Sequence, residues 1–401
     1  MIHTHRRILL ALIVLPYWLS AYKAVVISPI VDLVGAPLTP LQFKSLPLCG
    51  GSQEPFIACK RGHQLLCNEI VEIVDQTNDL VCVSVPHIFY VAQNSDKKYN
   101  RYWAEKKHFM RLDDSVDDTK VPASVSAVKP HDTDTITTLI MPYYHPTHHR
   151  TYSSGTRFVR VHPRKREKNI AVWAFCPTKK RFERTTIPAS CCYIPKSHDP
   201  QHKIADFVQI VRQWAHLKKG YIPYVWGGCS YTEPALSSHF YEKVIKEGKK
   251  HVSFYCIDGY TLYPMSGFDC SSLVLRAAQI CTIPYYFKNT TTLSRFLSEL
   301  KPSDTIENGD LIWIPWHVMI ISDCDKNLLV EARSYNHGYG KVHELPLHKV
   351  FKDVYSYKDL LHRLRTKAPI ERINKQGVVM DTFPTFKILK LKSAFTESSG
   401  Q

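Results

Sequence analysis

Ser266-Gly267-Phe268-Asp269-Cys270-Ser271-Ser272-Leu273-Val274 is the stretch on which the reading of this chain turns. A small, flexible pair leads into an acid and a cysteine. Two hydroxyl residues follow, then the apolar, helix-forming run Leu273-Val274-Leu275-Arg276-Ala277-Ala278. The pattern predicts a loop ending at the first turn of a helix, with Cys270 at or near its start. A helix start carries unpaired backbone N–H groups and roughly half a positive charge. That field favours the thiolate, the reactive form of cysteine. A lone cysteine at a helix start is nevertheless more often a half-buried structural residue, so the assignment depends on what the rest of the chain brings to it.

Working outward, Ile204, Phe207, Val208, Val211 and Trp214 form one stripe at helical spacing. That helix leads to Gly220-Tyr221-Ile222-Pro223-Tyr224-Val225-Trp226-Gly227-Gly228, where Pro223 ends any helix and the paired glycines permit a bend. Downstream of the cysteine, Asn308-Gly309-Asp310 is a turn, and Leu311–Ile314, Pro315–Ile321 and Leu328–Ala332 read as successive strands, with Gly340–Leu345 as a fourth. A helix bearing cysteine against an antiparallel sheet is an α+β layer arrangement.

Thiol catalysis needs a base to take the proton and a group to orient that base. On its alternating strand His317 shares a face with Met319 and Ile321. By itself it reads either as a satisfied core histidine or as a site residue. Glu331 lies near the end of the partner strand of a tight hairpin, where an antiparallel neighbour can reach the imidazole. A carboxylate there would hold one tautomer and stabilise the imidazolium. By itself it also reads as an edge-strand surface acid.

Taken together, Tyr224-Val225-Trp226-Gly227-Gly228, Phe268-Asp269-Cys270-Ser271, Gly309-Asp310-Leu311, His317-Val318 and Glu331-Ala332 resemble, in order and rough spacing, the motifs of NlpC-type cell-wall cysteine peptidases. The resemblance covers residues 200–350. It implies a papain-like α+β domain that hydrolyses amide bonds in peptidoglycan stem peptides, usually that from γ-D-glutamate to a diamino acid, without metal or cofactor. It implies further that Cys270 attacks the carbonyl, His317 is the base and Glu331 orients it. Tyr224 would help with the oxyanion, and Asp269 and Ser271 would bind the free amine of the stem peptide. The chain departs from the family at Ser272, commonly glycine, and at Glu331, more often histidine; a carboxylate serves there in CHAP-type amidases. The largest departure is the long segment Cys229–Met265, which should border the cleft; it includes a helix-like basic run, Tyr241–Lys250, and Phe254, Tyr255, Tyr260 and Tyr263. Two rival readings are a wall-binding protein that keeps the fold without turnover and a thiol amidase or acyltransferase. In permuted acyltransferase relatives the histidine precedes the cysteine, whereas here it follows.

Ahead of this domain the chain reads as strands and turns. Glu69–Asp75 alternates, Gln76–Asp79 turns, and Leu80–Val85 returns. Gln64-Leu65-Leu66, Asn68-Glu69 and Val71 resemble the bacterial SH3-like barrels that accompany cell-wall enzymes. A second such unit is read from Thr135–Tyr144, Gly155–Val161 and Ile170–Phe175. The resulting layout is a signal peptide at 1–21, SH3-like units at 22–112 and 131–198, joined by a polar linker, a catalytic domain at 199–365, and a basic extension at 366–401 that either adds a strand or two or is a tail.

The chain has 401 residues and a net charge of +16, which suits polyanionic surroundings without choosing among them. No RNA-binding, zinc-finger or helix-turn-helix pattern favours nucleic acid. His3, His5, Arg6 and Arg7 precede an uncharged run from Ile8 to Ala21, the layout of a secretory signal peptide or, uncleaved, of a membrane anchor. Export to the periplasm or cell envelope, or secretion, is therefore expected. Of the twelve cysteines, Cys49, Cys59, Cys67 and Cys82 lie close enough in sequence to pair in an oxidising compartment.

Overall fold

The structure, a computed structural model, describes residues 21–44, 60–85, 88–92, 94–112, 120, 135–162, 168–176, 178–195, 197–235, 238–245, 250–257, 266–301, 303–334 and 337–397. The signal-peptide run, Cys49, Cys59 and nearly all of the linker lie outside these residues. Among the described residues no helix is long and apolar enough to cross a membrane.

The expected hairpin of the first unit forms. Ile70–Gln76 pairs antiparallel with Leu80–Ser84 across the Thr77 turn, because branched residues alternate on a half-buried surface. It belongs to a seven-stranded sheet drawn from Tyr22–Val26 through Phe109–Arg111. The second unit is a five-stranded antiparallel sheet from Ile136–Leu139 to Cys192–Tyr193, dominated by the long Asn169–Cys176 and Arg181–Pro188 pair. Both sheets are open in strand order, so among the described residues the closed barrels expected from the sequence are absent. The Thr135–Tyr144 run, read as one strand, is two, Ile136–Leu139 and Tyr143–His145, with Pro142 between them.

The third sheet organises the remainder. Its order is Lys341–Pro346, Leu328–Arg333, His317–Asp323, Leu311–Ile314 and Lys387–Leu389, all antiparallel. Alternation gives it two apolar faces. Val318, Ile320, Val330 and Ala332 pack on the helices Pro200–Ala215 and Cys270–Ile280. Met319, Ile321 and Leu329 face a C-terminal layer built from Leu347, Phe351, Leu360, Ile370 and Phe386. The C-terminal extension adds a strand to this sheet: Ile388 and Leu389 are fully buried beside Leu311 and Ile312.

Two other expectations are corrected. The described residues of the Tyr241–Lys250 run are not helical; Ser238–Ile245 and Lys250–Ile257 pair over eight positions as antiparallel strands. Tyr241, Val244 and Ile245 fall at helical spacing, so the local pattern conceals a strand that only the pairing with Lys250–Ile257 reveals. The expected cysteine pairing also fails for the described residues: Cys67 and Cys82 are free thiols, both buried, and Cys67 packs against Leu139, Tyr152 and Phe158 of the second unit.

The three units are locked together behind the cysteine. Arg276, on the Cys270 helix and 1% exposed, donates to Glu69 at 2.8 Å, to the Gln64 carbonyl at 3.2 Å and to the Cys229 carbonyl at 3.0 Å. Gly155 of the second unit meets it from the other side with φ +90°, and a Cβ there would lie 2.4 Å from Arg276 Cδ. One buried cation thus ties the helix to both preceding sheets.

Candidate active site

The Cys270 helix starts as its sequence dictates. Asp269 is the N-cap, its Oδ1 accepting from the Ser272 amide at 2.6 Å. The same carboxylate accepts from the Ser271 hydroxyl at 3.0 Å, the Gly227 amide at 3.1 Å and Lys288 Nζ at 3.5 Å. The Lys288 carbonyl, 2.8 Å from Ser271 Oγ, competes with the carboxylate for that single hydroxyl proton. Asp269 and Ser271 thus build the helix start; an incoming amine would have to displace Lys288 from Oδ2.

The loop facing this start is held by the first unit. Arg61, ion-paired with Asp32 at 2.8 Å, donates to the Trp226 carbonyl at 3.1 Å. Gln64 Oε1 accepts from the Cys229 amide at 2.9 Å and Ser230 at 2.7 Å. Gly227 is required at φ +68°, where a Cβ would lie 2.3 Å from the Arg61 carbonyl oxygen. Tyr224 is buried in the same floor: its backbone bridges Phe268 and its amide donates to the Gly340 carbonyl at 2.9 Å.

Across the cleft, Pro315 and Trp316 make the two-residue turn between Ile314 and His317. Trp316 has φ +70°, a left-handed conformation that L side chains rarely adopt. Its ring is 75% exposed. Its carbonyl oxygen lies 4.0 Å from Cys270 Sγ, and the Val318 amide donates to the same sulfur. The thiol therefore lies against the backbone on both sides of His317.

The imidazole of His317 faces a buried carboxylate. Its Nε2 lies 2.7 Å from Glu331 Oε2, and Glu331 is fully buried. The other carboxylate oxygen accepts from His343 Nε2 at 3.2 Å and lies 3.6 Å from Arg333 Nη1. The register explains the grouping: Glu331 pairs directly with His343, so the two share a sheet face. Arg372, 3% exposed and on the Ile370–Ile373 strand, donates to Glu331 Oε2, and its Nη2 lies 3.1 Å from His317 Nε2. His317 and Arg372 are thus two donors on one oxygen. Nε2 carries the proton, and Nδ1, which makes no hydrogen bond among the described residues, is left as the basic nitrogen.

Burial dominates the charges here. The Cys270 thiol, 8% exposed, is pushed up to about 12 by desolvation and by the neighbouring Asp269 carboxylate, against the Val318 and Ser271 amides. Desolvation thus outweighs the helix-start field invoked from the sequence. His317 is pushed down to about 3 by burial and then by the Arg372 guanidinium, against Glu331. Burial disfavours the Glu331 anion too, but Arg372, Arg333 and the two histidines outweigh it and hold the carboxyl well below its usual range. Burial thus favours the neutral thiol and the neutral imidazole.

Of the residues singled out from the sequence, the fold sets His317 against Glu331 and lays Cys270 against the backbone on either side of His317. Sequence reasoning missed Arg372, Arg333 and His343. Arg333 and His343 carried a signal, since a buried carboxylate needs donors on the same sheet face. Arg372 lies some forty residues downstream of Glu331 with no motif of its own.

No model of a known protein family and no curated protein matches the chain. Among solved structures it is similar to an NlpC/P60 family protein from Bacillus cereus ATCC 10987, with a TM-score of 0.51 and 15% identity over 81% of this chain and 94% of that one. NlpC2 and NlpC1 of Trichomonas vaginalis also match, at TM-scores of 0.31 and 0.30, identities of 11% and 10%, and 82% coverage of this chain, with 93% and 89% of theirs. The last two scores are too low to bear on the fold. The first shows that the chain is built like an NlpC/P60 protein, and the resemblance read from the sequence holds at the level of fold.

Proposed function

We propose that the chain is an exported cysteine endopeptidase that hydrolyses amide bonds in peptidoglycan stem peptides, the γ-D-glutamyl-diamino acid bond being the preferred target. The observation that carries the thiol chemistry is the 2.7 Å contact between His317 Nε2 and a fully buried Glu331, which leaves Nδ1 as the base beside the backbone that cradles Cys270. Substrate class and export rest on the sequence motifs and the N-terminal run.

With both groups neutral at rest, the thiol proton passes to Nδ1 as sulfur attacks the carbonyl. The backbone N–H of Cys270 and Tyr224 serve the developing oxyanion. The imidazolium, held by Glu331, gives its proton to the leaving amine. Water then attacks the thioester, giving one proton to Nδ1, and the thiol is restored. The first N-terminal sheet frames the site from one side, which the grip of Arg61 and Gln64 on the Trp226–Ser230 loop supports. Asp269 and Ser271 meet the free amine of the peptide if it exchanges with Lys288.

The test is incubation of the purified protein with muropeptides of several wall chemistries and mass measurement of the products. Cleavage between γ-glutamate and the diamino acid is expected. No new product from any of them would favour a wall-binding protein that does not turn over; release of terminal groups only would favour an amidase.

A further inference from the structure

A carboxylate beside a histidine in a dry site has two stable arrangements. The imidazole can stay neutral and donate one N–H, or it can take a second proton and form an imidazolium–carboxylate ion pair. Only the first leaves a nitrogen able to accept the proton of Cys270. The arrangement of charge around Glu331 decides between them.

Every element packed on the imidazole contributes a charged or titratable group. Glu331 and Arg333 come from the neighbouring strand and His343 from the next one. His337, bonded to Asp381 at 3.5 Å, comes from the loop and the C-terminal hairpin. Cys270 and Asp269 come from the helix start. Arg372 comes from the hairpin strand Ile370–Ile373. Of these, Arg372 alone shares the same carboxylate oxygen with His317.

Its position is fixed by main chain. The amide of Ile373 donates to the Val350 carbonyl at 3.0 Å, that of Lys352 to the Glu371 carbonyl at 2.9 Å, and Phe351 bridges Arg372. Arg333 donates to the Ile373 carbonyl while lying beside Glu331, so one guanidinium anchors the strand that delivers the other. Residues 351–373 thus carry a cation back into the cleft with little freedom to leave it.

We propose that Arg372 is a positioning residue: by occupying Glu331 Oε2 together with the imidazole it satisfies the carboxylate's charge, and so keeps His317 as the neutral Nε2–H tautomer with Nδ1 free to take the Cys270 proton. This deepens the thiol reading and rests on it. It follows that the base stays unprotonated well into acid, where an imidazole paired only with a carboxylate would already be charged.

The test uses nitrogen NMR of the His317 ring in the full chain across pH, with the rate of Cys270 alkylation by iodoacetamide recorded on the same samples. In the wild type, His317 shows the neutral Nε2–H signature from pH 8 to below pH 5. Arg372→Gln raises its protonation midpoint by at least about one unit, and alkylation acquires a break at the same pH. Arg372→Lys, which keeps the cation, raises it by less. A wild-type ring that is Nδ1–H, or an imidazolium at pH 6, overturns the proposal without recourse to any variant. So does Arg372→Gln with an unchanged midpoint. A peptide assay beside these separates the two levels: no hydrolysis with the expected ring signature would refute the peptidase reading and leave the role of Arg372 standing.

Discussion

Glu331→Gln is the most informative single substitution. The shape of the side chain is kept and only its charge is lost. In the native site that charge sits on a fully buried group against Arg372 and Arg333, with His317 at 2.7 Å and His343 at 3.2 Å. An amide supplies one acceptor where the carboxylate supplied two. Its NH2 must therefore face a donor, either the guanidinium of Arg372 or the N–H of His343. Removing one partner of a buried ion pair costs about 3–5 kcal/mol, within the roughly 5–15 kcal/mol by which domains are stable, so the variant should fold with a lower urea midpoint. Its rate should fall further than its stability implies, because His317 loses the anion that orients Nε2–H and supports the imidazolium. The corresponding loss in serine proteases is on the order of 10⁴-fold, against about 10⁶-fold for the nucleophile. The assay is kcat/KM on a muropeptide by product mass, beside Cys270→Ala. A folded Glu331→Gln protein with wild-type kcat/KM would remove the carboxylate from the mechanism.

Three further outcomes are expected. Arg276→Met should lower the unfolding free energy by about 3–5 kcal/mol, because it leaves Glu69 buried without its 2.8 Å partner; a shift below about 1 kcal/mol in urea titration would mean that the lock joining the three units is dispensable. Trp316→Gly should leave stability equal or higher by about 1 kcal/mol, since φ +70° is strained for tryptophan and free for glycine; a less stable variant would contradict the strain argument. Stability should also fall on acidification. His317, His145 and His337 are pushed down by burial to about 3, 4 and 4, so the unfolded chain takes up their protons first, from about pH 6.5 downward. Asp310, pushed up to about 6 by burial, works in the opposite sense between its ordinary value and pH 6 and offsets part of this. A urea midpoint that rises as pH falls from 6.5 to 4 would refute the sign.

The helix at Cys270 and the His317–Glu331 hairpin were legible because their information is local. An N-cap acid, a run of helix formers and two alternating strands joined by a turn specify themselves within about fifteen residues. The reactivity of the thiol was not legible in the same way. The helix-start field is a local quantity, whereas the desolvation that overrides it depends on Trp316, Val318 and the packing of the whole cleft. Arg372 was invisible for a related reason: nothing around it marks a site, and only pairing of its strand with the 350–352 segment brings it to Glu331. The paired strands Ser238–Ile245 and Lys250–Ile257 were misread because Tyr241, Val244 and Ile245 are spaced as on a helix, and only pairing with the second strand fixes the extended form. The N-terminal sheets were legible as strands and hairpins, but closure depends on which edges meet, a long-range property that alternation does not encode.

The central claim is that the Cys270 sulfur is the nucleophile for amide hydrolysis. The direct measurement is the rate of product release from a muropeptide by Cys270→Ala, beside the wild type at equal concentration. The account predicts release by the wild type and none above background by the variant, with His317→Ala similarly silent. Release by Cys270→Ala at a rate near that of the wild type would contradict it.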